Sequence, residues 1–392
     1  MHGDRDFFEA EHEDFRSAVR QFVEREVAGH LEDWDERRII DRATWLSAGK
    51  GGLLGFAVPE QFGGGGTGDY RFRCVLAEEL GAVGAASLNS SFALQDDVFI
   101  PYLLRLGTDE QQRRWLPGLC AGELIGAIAM TEPSAGSDLQ GITSTAVPDG
   151  DDWILNGAKT FITNGIQSDL VIVVARSGPS GPGKDSGPPP FGLFVVERDA
   201  AGFKRGRKLR KIGLQAQDTA ELFFDDVRVP ARNVLGDPRR GFVHLMENLP
   251  IERLSIAVTS LAAAASALTW TADYVRQRHA FGKPLAAQQS VQFTIAEIAT
   301  EVDVTRSYVR DAVRAHNQGA LTAVDAAKAK WWATEVHKRV VDRCLQLFGG
   351  YGYMAEYPIA RAYVDARIQT IYGGATEIMK ILIARDVLGK FP

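Results

Sequence analysis

Met246-Glu247-Asn248-Leu249-Pro250-Ile251-Glu252-Arg253-Leu254 is the stretch whose reading decides the fold of the C-terminal half. It reads as the first turn of a long helix over residues 250–279. Proline is pre-shaped for a first helical turn, and Ala262-Ala263-Ala264-Ala265 has high helix propensity. Leu254, Ala257, Val258, Leu261 and Ala265 recur about 3.6 residues apart, as one core-facing stripe does. Glu252 falls near the start of this helix, just before the stripe. A carboxylate there can be a solvated first-turn glutamate that complements the helix dipole. It can equally be a chemical group, and the remainder of the chain decides between the two.

Outward from this stretch, the helical period continues over residues 289–317, 321–348, 358–371 and 376–388, with Gly349-Gly350 as a left-handed cap after the third long helix. Long helices with short connections predict an antiparallel bundle. Residues 1–125 also read as helical. Phe8, Phe15, Val19, Phe22, Val23 and Val27 mark one helix face, and 44–52, 70–84, 96–106 and 109–116 are further candidates. Gly63-Gly64-Gly65-Gly66 reads as a loop; it lacks the strand, turn and Lys-Ser/Thr of a phosphate loop. Near residue 125 the texture changes. Residues 152–159 read as strand, Asn156-Gly157 turn, strand, followed by strands over 169–175, 191–197 and 219–227. The Gly-, Pro- and Ser-rich residues 177–190 read as a surface loop. The expected class is α+β in three domains: helical 1–125, β 126–236, and helical bundle 237–392.

Composition excludes several functions. The chain has 392 residues, 45% of them hydrophobic, and a net charge of −6. That balance argues against nucleic acid, which needs a clustered basic surface. The basic run Lys204-Arg205-Gly206-Arg207-Lys208-Leu209-Arg210-Lys211 is the local exception. It reads as a solvated face, or as a dock for an anionic ligand or acidic partner. Cys74, Cys120 and Cys344 are odd in number and far apart, so neither a zinc site nor a disulfide frame is expected. The acidic start carries no leader pattern, and no apolar run approaches the roughly 18 residues of a membrane span. The expectation is a cytoplasmic protein.

Five short stretches invite a chemical reading beside a plain structural one. Met130-Thr131-Glu132-Pro133-Ser134-Ala135-Gly136-Ser137-Asp138 is a tight loop, or a place where backbone N–H groups approach a ligand. In Lys159-Thr160-Phe161-Ile162-Thr163-Asn164-Gly165, Phe161 and Thr163 are two apart and share a strand face. That suits a half-buried strand, or a flat heteroaromatic ring lying on Phe161 and bonded by Thr163. Arg276-Gln277-Arg278-His279-Ala280-Phe281-Gly282-Lys283-Pro284 is a basic helix end, or a pyrophosphate clamp. Gln346-Leu347-Phe348-Gly349-Gly350-Tyr351-Gly352-Tyr353 is a cap and turn. Gln369-Thr370-Ile371-Tyr372-Gly373-Gly374-Ala375-Thr376-Glu377-Ile378 places two glycines before a helix N-terminus, a position that favours an anion or a carbonyl oxygen.

In this order and at these separations the five stretches closely resemble the acyl-CoA dehydrogenase family, over about residues 10–390. Residues 363–374 and 216–224 look most like the long-chain type. The resemblance implies an N-terminal helical domain, a middle β-barrel and a C-terminal four-helix bundle. It implies FAD as cofactor and dehydrogenation of a medium-to-long-chain acyl-CoA to the trans-2-enoyl-CoA, as in β-oxidation. Electrons pass in this family to electron-transfer flavoprotein, and a cofactor shared between subunits implies a homotetramer.

Residue by residue, Gly373 occupies the place of the catalytic glutamate of the medium-chain branch. In the long-chain and isovaleryl branches the base comes from the helix opening the bundle, and the matching residue is Glu252. The family hydrogen-bonds the thioester oxygen through a backbone N–H, matched by Gly373, and a flavin ribityl hydroxyl. That is oxyanion-type stabilisation of a developing enolate, with Glu252 as general base. Burial should raise the Glu252 pKa. Ile128, Ala129, Met130, Thr131 and Ser137 match flavin-lining positions, with Ser137 also near CoA. Phe161, Ile162 and Thr163 match the wall against the ring. Arg278, Phe281, Gln289, Gln346, Leu347, Phe348, Gly349 and Gly350 resemble the residues that hold the pyrophosphate and adenosine of a neighbouring subunit's FAD. Ala375, Thr376 and Glu377 complete the flavin site. Pro250, Arg253 and Gly374 match substrate contacts, and no metal is implied. Three positions depart from the family: Ser134 for glycine, Ala375 for threonine, and Val243 where long-chain members tend to have tyrosine. Competing readings are a branched-chain (isovaleryl-type) dehydrogenase, a flavin oxidase or monooxygenase on the same fold, and a non-catalytic acyl-CoA binding protein.

Overall fold

The computed structural model describes residues 7–178 and 190–389. The reading of residues 1–6, and that of 179–189 within the expected loop, lie outside them. The chain opens with α1 (Ala10–Glu26), α2 (Leu31–Arg37), α3 (Arg42–Lys50), α4 (Arg71–Ala82), α5 (Ala86–Ala93), α6 (Ile100–Leu106) and α7 (Asp109–Cys120). Val19, Phe22 and Val23 of α1 are buried, each such side chain contributing about 2 kcal/mol. Thr108 and Gln111 cap α7 reciprocally, at 3.3 and 2.8 Å. The helix expected over 96–106 is a composite. A π-helical turn, Leu94–Phe99, joins α5 to α6. Pro101 withholds an N–H from the ladder just beyond it. Asp96 is drawn to the Gly55 N–H at 3.0 Å and Asp97 to Arg73 at 3.1 Å.

The middle region comprises β1 (Gly126–Ala129), β2 (Thr145–Asp149), β3 (Asp152–Thr163), β4 (Leu170–Arg176), β5 (Phe191–Glu197), β6 (Phe203–Lys208), β7 (Thr219–Val229) and β8 (Val234–Leu235). They form one eight-stranded sheet in the order β6-β7-β3-β2-β4-β5-β8, with β1 parallel to β4. The sheet folds over on itself: Phe194 of β5 packs on Trp153 of β3 with ring centroids 5.2 Å apart. Its opposite face meets the first helices through Ile128, Ile172, Val174 and Leu193.

Two strand readings are corrected. Asn156-Gly157 is not a turn; β3 runs straight through it. Asp149 pairs with Asp152, so the hairpin turns at Gly150, with φ +64°. Gly157 sits instead in a bulge against β7, where a Cβ would meet Ser144 Oγ at 2.2 Å. The basic run is largely strand β6, and two of its side chains are engaged locally by carbonyls. Arg205 donates to the Ser168 and Gly165 carbonyls, and Lys208 to the Arg37 carbonyl.

The C-terminal region holds α8 (Gly241–Gln277), a small ribbon of β9 (His279–Ala280) and β10 (Lys283–Pro284), then α9 (Gln289–Asn317), α10 (Ala323–Phe348), α11 (Pro358–Gln369) and α12 (Thr376–Leu388). α8 corrects the opening expectation. It starts at Gly241, so Pro250 lies inside it and Glu252 is in its second quarter, not its first turn. Proline costs an interior helix one hydrogen bond, but tertiary packing overrides this weak prior. Leu254, Ala257, Val258, Ala264 and Ala267 are buried against α4, α9 and α10. α8 also qualifies the membrane reading, since by length and composition it could cross one; 56% of its apolar window is buried, as in a core helix. Gly349 has φ +59° but an extended ψ, so it ends α10 without a left-handed cap.

Candidate active site

A cleft of about 190 Å³ opens where the three regions meet. α8 contributes Glu252, Ser255, Ile256 and Thr259 at helical spacing, and the loop before α12 brings Tyr372 and Gly373. The sheet supplies Ile128, Met130, Thr131, Phe161, Ile162 and Thr163, and the π-helical segment closes the back.

Glu252 is 6% exposed. Tyr102 Oη and Asn248 Nδ2 both donate to its Oε1, each at 3.1 Å. Burial raises the carboxyl pKa, and the two hydrogen bonds and the Arg253 charge only partly oppose it. Oε2 is left to accept a proton from the cleft. The next residue, Arg253, is itself buried with Nε unpartnered among the described residues. Lys330, fully buried, donates to the Gly374 carbonyl at 2.7 Å. It is pushed down to about 8, first by burial and then by Arg253.

Gly373 and Gly374 have φ of +62° and +95°. A Cβ at Gly373 would meet Ile256 Cδ1 at 2.3 Å. A side chain at this position would therefore be strained by the left-handed backbone and would require the Ile256 side chain to move aside. Among the described residues no hydrogen bond consumes the Gly373 N–H.

Phe161 corrects the reasoning by strand alternation. It has φ +60° at a register shift between Lys159 and Ile162, so the expected two-residue periodicity breaks there. An aromatic residue in that conformation is strained by about 1–3 kcal/mol. The distortion leaves Phe161 68% exposed, with Ile162 and Thr163 on the same cleft wall. The loop before it is anchored by a buried ion pair, Lys159 Nζ to Glu132 Oε1 at 2.8 Å. Lys159 also donates to the Met130 carbonyl at 3.0 Å, and Thr143 and Ser144 donate to Glu132. Burial opposes the Glu132 charge, but these partners outweigh it and hold its pKa at about 2.

A second cleft of about 610 Å³ lies at the far end of α8. It gathers Arg278, Gln346, Leu347, Phe348, Gly349 and Gly350 with Tyr274 and Tyr351. The Arg278 guanidinium lies 5.5 Å from the Tyr351 ring centroid. A Cβ at Gly349 or Gly350 would touch nothing within 4 Å, so this wall is open to a ligand. Arg278 is 26 residues beyond Glu252, about 39 Å along the helix at 1.5 Å per residue.

The remaining expected residues lie outside both clefts. Ala129 is fully buried and points to the sheet's inner face; Ser137, Gln289 and Phe281 are exposed, Phe281 by 94%. Ala375 caps α12, Thr376 bonds Glu335 at 3.1 Å, Glu377 is exposed, and Pro250 is half-buried within α8. Sequence reasoning missed Tyr102, Asn248 and Lys330. Glu132 and Lys159 were visible as opposite charges in two adjacent β motifs, a signal that could have paired them. Glu11, His12 and Asp69 could together approach a cation, but Asp69 is engaged by Arg71 at 2.6 Å and His12 Nδ1 by the Glu9 N–H.

The flat wall of Phe161 with the Thr131 and Thr163 hydroxyls fits a flavin ring, and the open Gly349-Gly350 wall beside Arg278 fits a nucleotide. The acyl-CoA dehydrogenase N-terminal, middle and C-terminal domain families match residues 9–123, 127–227 and 239–388. The chain is 48% identical over 388 residues to the mitochondrial long-chain specific acyl-CoA dehydrogenase of Sus scrofa, covering 98% of this chain and 88% of that protein. It superposes on an acyl-CoA dehydrogenase from Geobacillus kaustophilus with TM-score 0.93 and 47% identity, covering 97% of this chain and 99% of that one. A glutaryl-CoA dehydrogenase from Mycobacterium smegmatis in complex with FADH2 matches with TM-score 0.91 and 29% identity, over 99% and 97% of the two chains.

Proposed function

Since the chain belongs to the acyl-CoA dehydrogenase family and is an enzyme of that class, we propose that it oxidises straight medium-to-long-chain acyl-CoA thioesters to trans-2-enoyl-CoA with Glu252 as the base. The observation that carries this reading is that a buried carboxylate, Glu252, and the Gly373 backbone line one cleft. Medium-to-long chain length is supported by the identity to the long-chain specific relative.

The cofactor is FAD, with its ring against Phe161, Ile162 and Thr163 and beside Met130 and Thr131. When bound it supplies the acceptor for the β-hydrogen as hydride. The chain's residues do the rest. The Gly373 N–H polarises the thioester oxygen, which acidifies the α-carbon. Glu252 takes the α-proton on Oε2, and Tyr102 and Asn248 hold Oε1 so that the carboxylate keeps its aim. Ile256 and Ile128 exclude water from the neighbourhood.

Arg278 and Gln346 to Gly350 receive the adenosine and pyrophosphate of FAD held by a second copy. The placement of the two clefts along α8 supports this: their nearest lining residues on that helix, Thr259 and Tyr274, are 15 residues and about 22 Å apart. The assembly is therefore a homo-oligomer, taken as a tetramer, and electrons leave to electron-transfer flavoprotein. Three buried free cysteines suit a reducing compartment such as the cytoplasm.

The test is a panel of acyl-CoAs, short to long and branched, scored by kcat/KM on wild type and Glu252→Gln. The variant should keep its yellow cofactor and lose nearly all turnover. Retained turnover would remove Glu252 from the mechanism, and a preference for isovaleryl-CoA would replace the straight-chain substrate.

A further inference from the structure

Behind the cleft lies a more enclosed cavity of about 40 Å³, with room for the last few atoms of a chain. Ser90 and Thr259 line both spaces, so they form the neck between them. Gly81, Gly84, Ala86, Ala263 and Ala362 leave the inner space empty because their side chains are small.

Most polar groups facing this chamber are already engaged. Asn89 accepts from Arg73 and donates to the Ala77 carbonyl, Gln369 accepts from Tyr372 at 2.8 Å, and Asp365 accepts the Leu214 N–H. His337 is different. It is 2% exposed, it lines the chamber, and neither ring nitrogen has a partner among the described residues. A buried imidazole left with both nitrogens unpaired is costly, so its environment calls for a ligand group. Burial pushes the ring down to about 4, so near neutrality it offers one donor and one acceptor. Asp365, pushed up to about 7 by burial and by Asp35, disfavours a second carboxylate nearby.

We infer that the chamber receives the far end of the acyl chain and is built for an end bearing a neutral hydrogen-bonding group, a hydroxyl or a ketone, which pairs with His337. This rests on the reading of the cleft as the thioester site. Thr259 lies seven residues beyond Glu252, about 10 Å along α8, and Ala263 about 16 Å. An extended acyl chain built from bonds of about 1.5 Å advances roughly 1.3 Å per carbon. About eight carbons past the α-carbon therefore reach the neck, and about twelve reach the chamber.

The experiment compares two acyl-CoAs with the same number of heavy atoms: a fourteen-carbon chain with a terminal hydroxyl and an unsubstituted fifteen-carbon chain. Each is titrated anaerobically against the flavin absorbance of the holoenzyme, and kcat/KM is measured. Wild type should favour the hydroxylated chain by about tenfold, the upper range for one neutral hydrogen bond. In His337→Leu the ratio should fall to one or below, and in His337→Gln, which keeps a donor and an acceptor, it should persist. The ratio is internal to each preparation, so partial unfolding cannot imitate the result. Equal use of both chains by wild type overturns the inference alone, as does a preference that survives in His337→Leu. If no acyl-CoA of any length bleaches the flavin, the cleft reading has failed and the inference falls with it.

Discussion

Tyr102→Phe removes one of the two donors on Glu252 Oε1 while keeping the ring that fills its site. Tyr102 is fully buried, and its O–H reaches the carboxylate at 3.1 Å. That is longer than the usual ~2.7–2.8 Å of an O–H···O bond, so the low end of the range for bonds to a charged group applies, about 1.5 kcal/mol. The bond favours the charged form, and one pKa unit corresponds to about 1.4 kcal/mol. Losing it should therefore raise the Glu252 pKa by about one further unit, beyond the rise that burial already imposes. Because the base must be ionised, the rising limb of kcat/KM against pH should move about one unit to the alkaline side. The plateau above it should stay within a few-fold of wild type, with Asn248 still holding Oε1. The assay is anaerobic flavin bleaching by a saturated acyl-CoA across the pH range. A limb that stays in place, or moves to the acid side, would refute the claim that Tyr102 tunes this carboxylate.

Three further outcomes follow from the same geometry. Glu252→Gln should raise Tm at neutral pH. The folded pKa of Glu252 lies above its ordinary 4.5, so its contribution to stability is complete below that value and lost as pH rises through the folded pKa; the gain should vanish near pH 4. Lys159→Met leaves Glu132 buried with only Thr143 and Ser144 as partners, at a cost of about 3 kcal/mol. Glu132 sits near pKa 2 against an ordinary 4.5, so its stabilisation is lost as pH falls between those values, and the acid-unfolding midpoint of the variant should move upward. Gly373→Ala places a Cβ 2.3 Å from Ile256 Cδ1 in a left-handed backbone, costing about 1–2 kcal/mol for the conformation alone. It should lower kcat by at least tenfold, and a second change, Ile256→Ala, should recover part of the loss.

Long periodic helices were legible almost to the residue: α9 and α12 match residues 289–317 and 376–388. α9 carries an apolar stripe, with Val291, Ile298, Val302 and Val309 buried, and α12 follows directly on the Gly373-Gly374 break with an acidic residue, Glu377, in its first turn. α8 was misread because proline is favoured at a first turn, and only the packing of its upstream turns on the neighbouring strand and helices shows that it begins at Gly241. β6 was hidden because a strand written as Lys204-Arg205-Gly206-Arg207-Lys208 has no apolar alternation to read. In the cleft, Glu252, Gly373, Phe161 and Thr163 were all named from sequence, and they do line one space. Phe161 was named for a periodicity that the bulge abolishes. Tyr102 was invisible, since a tyrosine in an apolar helix announces no partner 150 positions away.

The cleft has no single owner. Tyr102 arrives with the first helices, Phe161 with the sheet, and Glu252 and Gly373 with the bundle. Severing the chain between any two of these regions would leave fragments that each retain one wall and no chemistry. Loosening one junction would part the walls before either side had melted. Activity should therefore disappear on gentle heating or limited proteolysis while most helical signal persists, making lost turnover the earliest sign of damage to this protein.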